Sequence, residues 1–505
     1  MTELLDLGAL RVPGGYFVHR ADAPHRTPFK PSDERAGGYR HSFTYAGGGS
    51  TSRSDLVELI ESARRKVFVA SYFIGDREVR EALCRAASRL HGGVYVISAM
   101  TDKDLQRAIN EIGDAERIDS QIERKRFEEL TQHGIAVRAY EGCHAKFAVV
   151  DDRIALVSSA NLTTAGLDRT GENGVVVDVP EVAERIARFF AALWHGSRWE
   201  MAMTGQPTVG ERVAQSRPAV LPAPDLDQAG PIWTRHTEHH IAATIRRLVR
   251  SASRELLLAT FSLDGMSGRR ELLLADVQAA VERGVTVRML LRGRNHVPTH
   301  FADAATFAEL GVQLYPCTLN HAKGVIADGV RGALFSANFD ARHGLDRDVE
   351  LGMRLDDTPA LAEAARYFEH AIAERDLDYV RRPTAAVLAE RLYSYQVSAW
   401  PLGEQVTVLA GDADWARLVD TAEGPVVFSG AADEGLALYA GHRSWRLTAT
   451  GSGPMRLVGV AERQRVAATE RLVQWLTEKG PRGREAPPSR GVCAATFQWV
   501  RAVDT

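Results

Sequence analysis

The stretch HAKFAVVDDRIALVSSANLT (144–163) recurs without a gap as HAKGVIADGVRGALFSANFD (321–340). Each copy reads as an apolar strand, a turn at Asp151-Asp152 or Asp328-Gly329, a second apolar strand and a cluster of small polar residues. The repeat extends outward in both directions. LVELIESARRKVFVASYFI (56–74) and IAATIRRLVRSASRELLLATFSL (241–263) both read as an amphipathic helix followed by a buried strand. GVYVISAM (93–100) pairs with GVTVRMLLRG (284–293), and FEELTQHGIAVRAYEG (127–142) with FAELGVQLYPCTLN (307–320). Beyond the motif, GVVVDVPEVAERIARFFAAL and LGMRLDDTPALAEAARYFEHAI both run from strand into helix. Strands alternating with helices in two copies predict an α/β fold of two similar lobes.

The remaining chain divides around this repeat. A length of 505 residues is too great for one ordinary core. Residues 1–50, rich in Gly, His and Arg, read as an N-terminal extension or strap. The first lobe is expected over 51–204, a Pro-rich linker over 205–232 and the second lobe over 233–380. From 381 to 505 short apolar runs separated by Gly and Asp turns predict a small β-rich C-terminal module. Its residues Trp400, Trp415, Trp445, Trp475 and Trp499 are expected in its core.

Composition excludes several classes. The net charge of −3 rules out a tail-driven polycation, although a local basic groove remains compatible with it. The four cysteines, Cys84, Cys143, Cys317 and Cys493, form no CxxC pair, so neither a disulfide framework nor a zinc ribbon is expected. No signal peptide and no 18-residue apolar run is read, which points to the cytoplasm.

The repeated polar residues carry the chemistry. His144, Lys146, Asp151, Ser159 and Asn161 correspond to His321, Lys323, Asp328, Ser336 and Asn338. His and Lys two apart on a strand share a face. The returning strand delivers Ser and Asn to the same end, while the Asp residues are also ordinary turn chemistry. A neutral imidazole can attack phosphorus, and a second can protonate the leaving oxygen. Lysine and asparagine donors then stabilise the phosphoryl oxygens. Only seven of the 62 basic residues are lysine, yet two of the seven occupy corresponding motif positions. A compact point charge is selected there rather than a guanidinium fork. Central lysines also argue against a cation site, so neither metal nor cofactor is expected.

These residues resemble the duplicated HKD motif of the phospholipase D superfamily, over about residues 51 to 380. The resemblance implies a pseudo-twofold α/β sandwich with one active site between two phospholipase D-like lobes, so that a monomer suffices. It implies a histidine nucleophile, taken as His144, a general acid, taken as His321, and phosphate-binding roles for Lys146, Lys323, Asn161 and Asn338. Glu172 and Glu350, each in an E-x-G, match the glutamate that orients a histidine; exposed strand-start glutamates are the alternative. The family's Gly-Ser is replaced by Ser158-Ser159 and Phe335-Ser336, and Phe335 is expected to narrow the second phosphate pocket.

The superfamily holds phospholipases, phosphatidyltransferases and nucleases, and fold does not choose among them. The second copy looks somewhat like the cardiolipin synthase motif, the first like bacterial phospholipase D-type nucleases. A DNA (or RNA) nuclease is favoured, with a role in antiphage defence or repair and a helicase or ATPase as partner. A phospholipase or cardiolipin synthase-like enzyme is the alternative. Basic candidates for a nucleic-acid groove are Arg64-Arg65-Lys66, Arg124-Lys125-Arg126, Arg246-Arg247, and Arg292 with Arg294. The last pair ends a predicted strand, where ligands bind in α/β folds; the others also fit solvated helix faces.

Overall fold

The structure is a computed structural model that describes residues 14–23, 25–32, 37–46, 48–99, 127–201, 221–295 and 299–384, with short strands and single positions elsewhere. It has two compact units, Met1–Ala23 with Asp376–Thr505, and Pro24–Arg375.

The second unit holds both copies of the repeat. In chain order its first half is β1 (Tyr39–Thr44), α1 (Ser52–Ser62), β2 (Val67–Ala70), α2 (Arg77–Arg89), β3 (Val94–Ser98), β4 (Ala136–Ala139), β5 (Phe147–Val150), β6 (Ile154–Ser158), β7 (Glu172–Val177), α3 (Pro180–Gly196), β8 (Trp199–Met201) and β9 (Val209–Arg212). The second half is β10 (Gly230–Arg235), β11 (Glu238–His239), α4 (His240–Ser251), β12 (Glu255–Thr260), α5 (Leu274–Glu282), β13 (Thr286–Arg292), α6 (His300–Glu309), β14 (Gln313–Cys317), β15 (Gly324–Ala327), β16 (Arg331–Phe335), β17 (Glu350–Asp356) and α7 (Pro359–Ala373).

Two mixed sheets result, ordered β9-β8-β4-β3-β2-β5-β6-β7-β1 and β11-β10-β17-β16-β15-β12-β13-β14. In each, three parallel strands meet an antiparallel run that begins with the motif hairpin β5–β6 or β15–β16. The motif strands FAVV and GVIA are buried at every residue, as continuous apolar runs require. Both lobes also open with an antiparallel strand at equivalent places. Thr44 of β1 pairs with Glu172, and Thr234 of β10 pairs with Glu350. Residues 39–44, within the stretch read as an extension, are therefore the edge strand of the first sheet.

One face of the first sheet buries Val67, Val69, Ala148, Val150 and Leu156 against α1 and α2. The opposite face joins a continuous core with the second lobe, in which Val157, Val175 and Phe189 share a cluster with Leu334, Leu351, Met353 and Phe368. Helices α3 and α7 start cleanly because Pro180 and Pro359 occupy first-turn positions where no N–H is needed, and Thr358 caps α7 by accepting from the Leu361 N–H.

The first unit pairs Gly15–His19 antiparallel with Leu377–Arg381, and Thr2–Leu5 with Trp499–Ala502. Val427–Ala431, Gly435–Ala440 and Arg443–Leu447 form a three-stranded antiparallel sheet. Trp445 and Trp499 lie on these strands; Trp400, Trp415 and Trp475 fall outside the described residues.

Candidate active site

The two motifs converge through backbone bonds that cross between lobes. The His144 N–H donates to the Val349 carbonyl at 2.9 Å, and the His321 N–H to the Gly171 carbonyl at 2.7 Å. In return Val349 N–H donates to Gly142 and Gly171 N–H to Leu319, both at 2.8 Å. Each histidine is thus fixed by the chain that leads into the other lobe's E-x-G.

The side chains cross in the same way. His144 Nδ1 lies 2.7 Å from Glu350 Oε1, and His321 Nδ1 lies 2.6 Å from Glu172 Oε1. A carboxylate only accepts, so Nδ1 carries the proton and Nε2 of a neutral ring keeps its lone pair. Glu172 and Glu350 are buried, not exposed strand-start residues. Their remaining oxygens accept from the Ser159 hydroxyl at 2.5 Å and from the Ser336 hydroxyl.

The serines therefore need correction. Ser159 and Ser336 stand among the repeated polar residues read from sequence as carrying the chemistry. Both are buried, and their hydroxyls are spent on the glutamates and on the backbone N–H groups of Asn173 and Leu351. They position the positioners.

Lys146 and Lys323 are fully buried. Lys323 Nζ donates to the His321 carbonyl at 2.7 Å, and Lys146 Nζ to the His144 carbonyl. Burial pushes the Lys323 ammonium down to about 7 and Lys146 acts in the same direction, while Glu172 and Glu350 oppose it. Lys146 is lowered too, chiefly by burial. Burial works to raise the carboxyls of Glu172 and Glu350, but each opposing histidine and neighbouring lysine more than offsets it, and both sit below the usual range.

Asn161 and Asn338 follow the serines at half-buried positions, and in both the amide oxygen is buried without a hydrogen-bond partner. Gly166 and Gly344 pack on their backbones, where a Cβ would come within 2.4 Å and 2.8 Å of the respective carbonyl oxygens. Arg292 is buried, with its guanidinium 5.1 Å from the centroid of the Phe261 ring and its Nε donating to the Arg294 carbonyl at 3.1 Å. It is close enough to act on both His321 and Lys323.

The motif aspartates also need correction. Asp151 and Asp328 were grouped with the catalytic residues, but they sit at the opposite ends of β5 and β15. Both have left-handed backbone, φ 54° and 55°, in the turns. Asp151 accepts from the N–H groups of Arg64, Arg65 and Lys66, and Asp328 from those of Ser253, Arg254 and Glu255. They tie the motif turn to the start of β2 or β12. They are architecture.

The basic candidates separate likewise. Arg64 to Lys66 lie at this aspartate end, where Lys66 pairs with Asp152 at 2.7 Å. Arg246 pairs with Asp276 and Arg247 with Asp227. Arg124 to Arg126 fall outside the described residues. Cys143 and Cys317 are buried free thiols and Cys84 a half-buried one, while Cys493 lies outside the described residues. Phe335 is buried, with its ring 6.3 Å from Phe339. Gly352 gives it room, since a Cβ there would lie 2.6 Å from the Phe335 Cβ. The glycine of E-x-G is thus a packing requirement, and Gly174 meets the Val157 carbonyl in the same way, at 2.5 Å.

Sequence reasoning missed four contributors. Asn173, the middle residue of the first E-x-G, donates Nδ2–H to the Lys323 carbonyl at 3.2 Å and accepts the Lys323 N–H at 3.1 Å. Tyr72 and Phe261, at matching places in ASYF and ATFS, set their rings against His144 and His321. His300, fully buried and held down to about 4 by burial, takes the Leu263 N–H on Nδ1 and donates from Nε2 to the Arg292 carbonyl. Only the Tyr72/Phe261 correspondence left a signal, in the repeat itself.

The comparisons agree with this geometry. The profile of a family described as "Cardiolipin synthase, PLD-like domain" matches residues 56–194 and 245–372, more than half of the chain. Mitochondrial cardiolipin hydrolase of Danio rerio is 29% identical over 154 residues, 30% of this chain and 60% of that protein, so the match spans less than two thirds of the relative. The solved phosphatidylserine synthase of Haemophilus influenzae Rd KW20 superposes with a TM-score of 0.50 at 14% identity, over 74% of this chain and 90% of that one, a likeness of fold. Nuc of Salmonella typhimurium, a phospholipase D family member, aligns at 22% identity over 32% of this chain and 97% of that one, with a TM-score of 0.26. Two ungapped motifs, a two-sheet frame that brings their histidines together and a profile matched once by each lobe lead to one conclusion: this chain belongs to the phospholipase D superfamily, whose members are phosphodiesterases.

Proposed function

We propose that this chain cleaves phosphodiester bonds of nucleic acid through a phosphohistidine, without a metal. The observation that carries the reading is the crossed pairing of His144 with Glu350 and of His321 with Glu172, beside two buried lysines. Each glutamate fixes Nδ1–H and aims Nε2 at the common space. One imidazole attacks phosphorus, and the other delivers a proton to the departing oxygen. The same second imidazole then takes a proton from water as it displaces the histidine.

Charge supports this reading. Lys146, Lys323 and Arg292 bring three positive charges, and Glu172 and Glu350 two negative ones. A bound phosphoryl group would also restore the ammonium of Lys323, which burial disfavours. Asn161 and Asn338 would turn their amides to the non-bridging oxygens.

For the substrate class, the described surface shows no large exposed apolar face beside the motifs. Among the described residues the exposed large hydrophobics are Trp199 and Val330, and Val330 lies in the turn at the aspartate end. No helix among them is long and apolar enough to cross a membrane. The reading also takes in the cytoplasmic setting, the helicase or ATPase partner and the defence or repair role expected from sequence. A lipid phosphodiesterase is the second reading, favoured by the family description and by the cardiolipin hydrolase relative.

The test uses single-stranded DNA, duplex DNA, RNA and cardiolipin vesicles in excess EDTA, with His144→Ala as control. Nucleic-acid cleavage that survives EDTA and vanishes in the variant is the expected result. Turnover of cardiolipin alone would replace the nuclease reading with the lipid one. Cleavage that EDTA abolishes would sink the metal-independent mechanism.

A further inference from the structure

The two halves of the site carry the same motif residues but not the same charge around their histidines. Around His321 the charge is positive. Lys323 Nζ lies 2.9 Å from Nδ1, the nitrogen whose proton Glu172 already accepts. Two donors cannot share that contact, so the ammonium acts on the ring as a charge. A second cation stands behind it: the Arg292 guanidinium covers Phe261, whose ring meets the His321 ring with centroids 4.6 Å apart. By strand register the place of Arg292 in the first lobe is taken by Ala99.

Around His144 the second cation is missing. Lys146 Nζ binds the backbone carbonyl of His144, the ring's charged contact is the Glu350 carboxylate at 2.7 Å, and Tyr72 stands edge-on at 5.5 Å. Asp348, next in sequence to the residue that anchors the His144 backbone, adds a further negative charge near Lys146.

We propose that His321 is the nucleophile and His144 the general acid, the reverse of the order that the family resemblance implies. The inference rests on the phosphodiesterase reading above. Neighbouring cations disfavour an imidazolium at His321 and keep its Nε2 lone pair available for attack, whereas His144 has the Glu350 carboxylate against its ring and no counterpart of Arg292, which suits the proton-delivering role. Burial holds His321 down to about 3, with Lys323 and Arg292 adding to the shift and Glu172 opposing it.

The step balances without a further reactant. The Nε2 lone pair of His321 forms the N–P bond as the P–O bond to the leaving group breaks. The departing oxygen takes the Nε2 proton of His144. Water then gives that nitrogen a proton and its oxygen to phosphorus, and the N–P bond returns its electrons to His321.

Bis(4-nitrophenyl) phosphate in excess EDTA separates the two roles, because 4-nitrophenolate leaves without protonation. His144→Ala is expected to release one equivalent of nitrophenolate per site and then stall, with the nitrophenyl-phosphoryl group found on His321 by mass spectrometry. His321→Ala is expected to give neither burst nor adduct. His144→Gln and His321→Gln, checked by thermal melting, repeat the test if an alanine variant does not fold. The reversed pattern, with a burst in His321→Ala and an adduct on His144, overturns the assignment and leaves the phosphodiesterase reading intact. A wild-type protein that releases no nitrophenolate overturns both.

Discussion

Lys323 and Asp328 stand five residues apart in one motif, and the protein treats their charges in opposite ways. Lys323 is buried where desolvation drives it down to about 7, and its ammonium donates to the carbonyl of its own motif histidine. Asp328 is held down to about 2: burial alone would raise it, but the N–H groups of Arg254, Glu255 and Ser253 more than offset the burial. The first-lobe pair, Lys146 and Asp151, repeats the contrast with three backbone donors on the aspartate. A charge that the fold satisfies holds the fold together, whereas one left under-satisfied in a buried place is stabilised by what binds there. The letters of H-x-K-x4-D therefore belong to two different functions.

Substitutions can break this contrast, starting with the largest effect. At the histidine end, His321→Ala should cut phosphodiester turnover by about 10²–10⁴-fold, measured in EDTA, with the melting temperature little changed. Lys323→Met should cost about 10²–10³-fold in kcat, as loss of a donor to a developing oxyanion does. If Lys323 served architecture, the loss would appear in melting instead.

Glu172→Gln keeps the shape but loses the carboxylate that orients His321, and about 10²-fold in kcat is expected. At the other end, Asp328→Ala should leave the folded enzyme's kcat alone and destabilise it by about 2 kcal/mol, because buried N–H donors lose their acceptor. Equilibrium unfolding in urea reads that directly. The pH dependence follows from the sign of the shift. A carboxyl lowered to about 2 in the folded state stabilises above its ordinary value, and that contribution is lost as pH falls through about 2. Asp328→Asn should remove this acid-side slope.

The smallest effect sharpens the contrast between lobes. His321 faces Glu172, Lys323 and Arg292. Arg292→Met removes one cation, so the acid limb of the kcat/KM profile should move up by about one pH unit. No movement would mean that Arg292 is too well screened to tune the ring.

Much of this was legible in the sequence because a repeat tests itself. The strand–turn–strand reading of 144–163 and 321–340 and the helices flanking it followed from period and duplication, and the convergence of two histidines from the family resemblance. What periodicity could not supply was the partner of each polar atom. Ser159 and Ser336 look like substrate ligands until their hydroxyls are found on buried glutamates. Asp151 looks catalytic because family motifs join it to the histidine and lysine, but the five residues from Lys146 carry it roughly 16 Å along the sheet. Asn173 and His300 were silent, since one amide and one histidine acquire meaning only through contacts made 150 and 37 residues away. The edge strand at 39–44 was hidden in a Gly- and Arg-rich stretch whose apolar positions are too few to announce themselves.

The backbone bonds from His144 to Val349 and from His321 to Gly171 carry a mechanical meaning. A cleft enzyme usually admits its substrate by swinging its halves apart. Here that motion would tear the main chain away from both histidines at once. The lobes are better regarded as one rivet closed from two sides. On the nucleic-acid reading proposed above, a polymer that does not part them would pass the histidines along the strand ends, as a thread past a fixed blade.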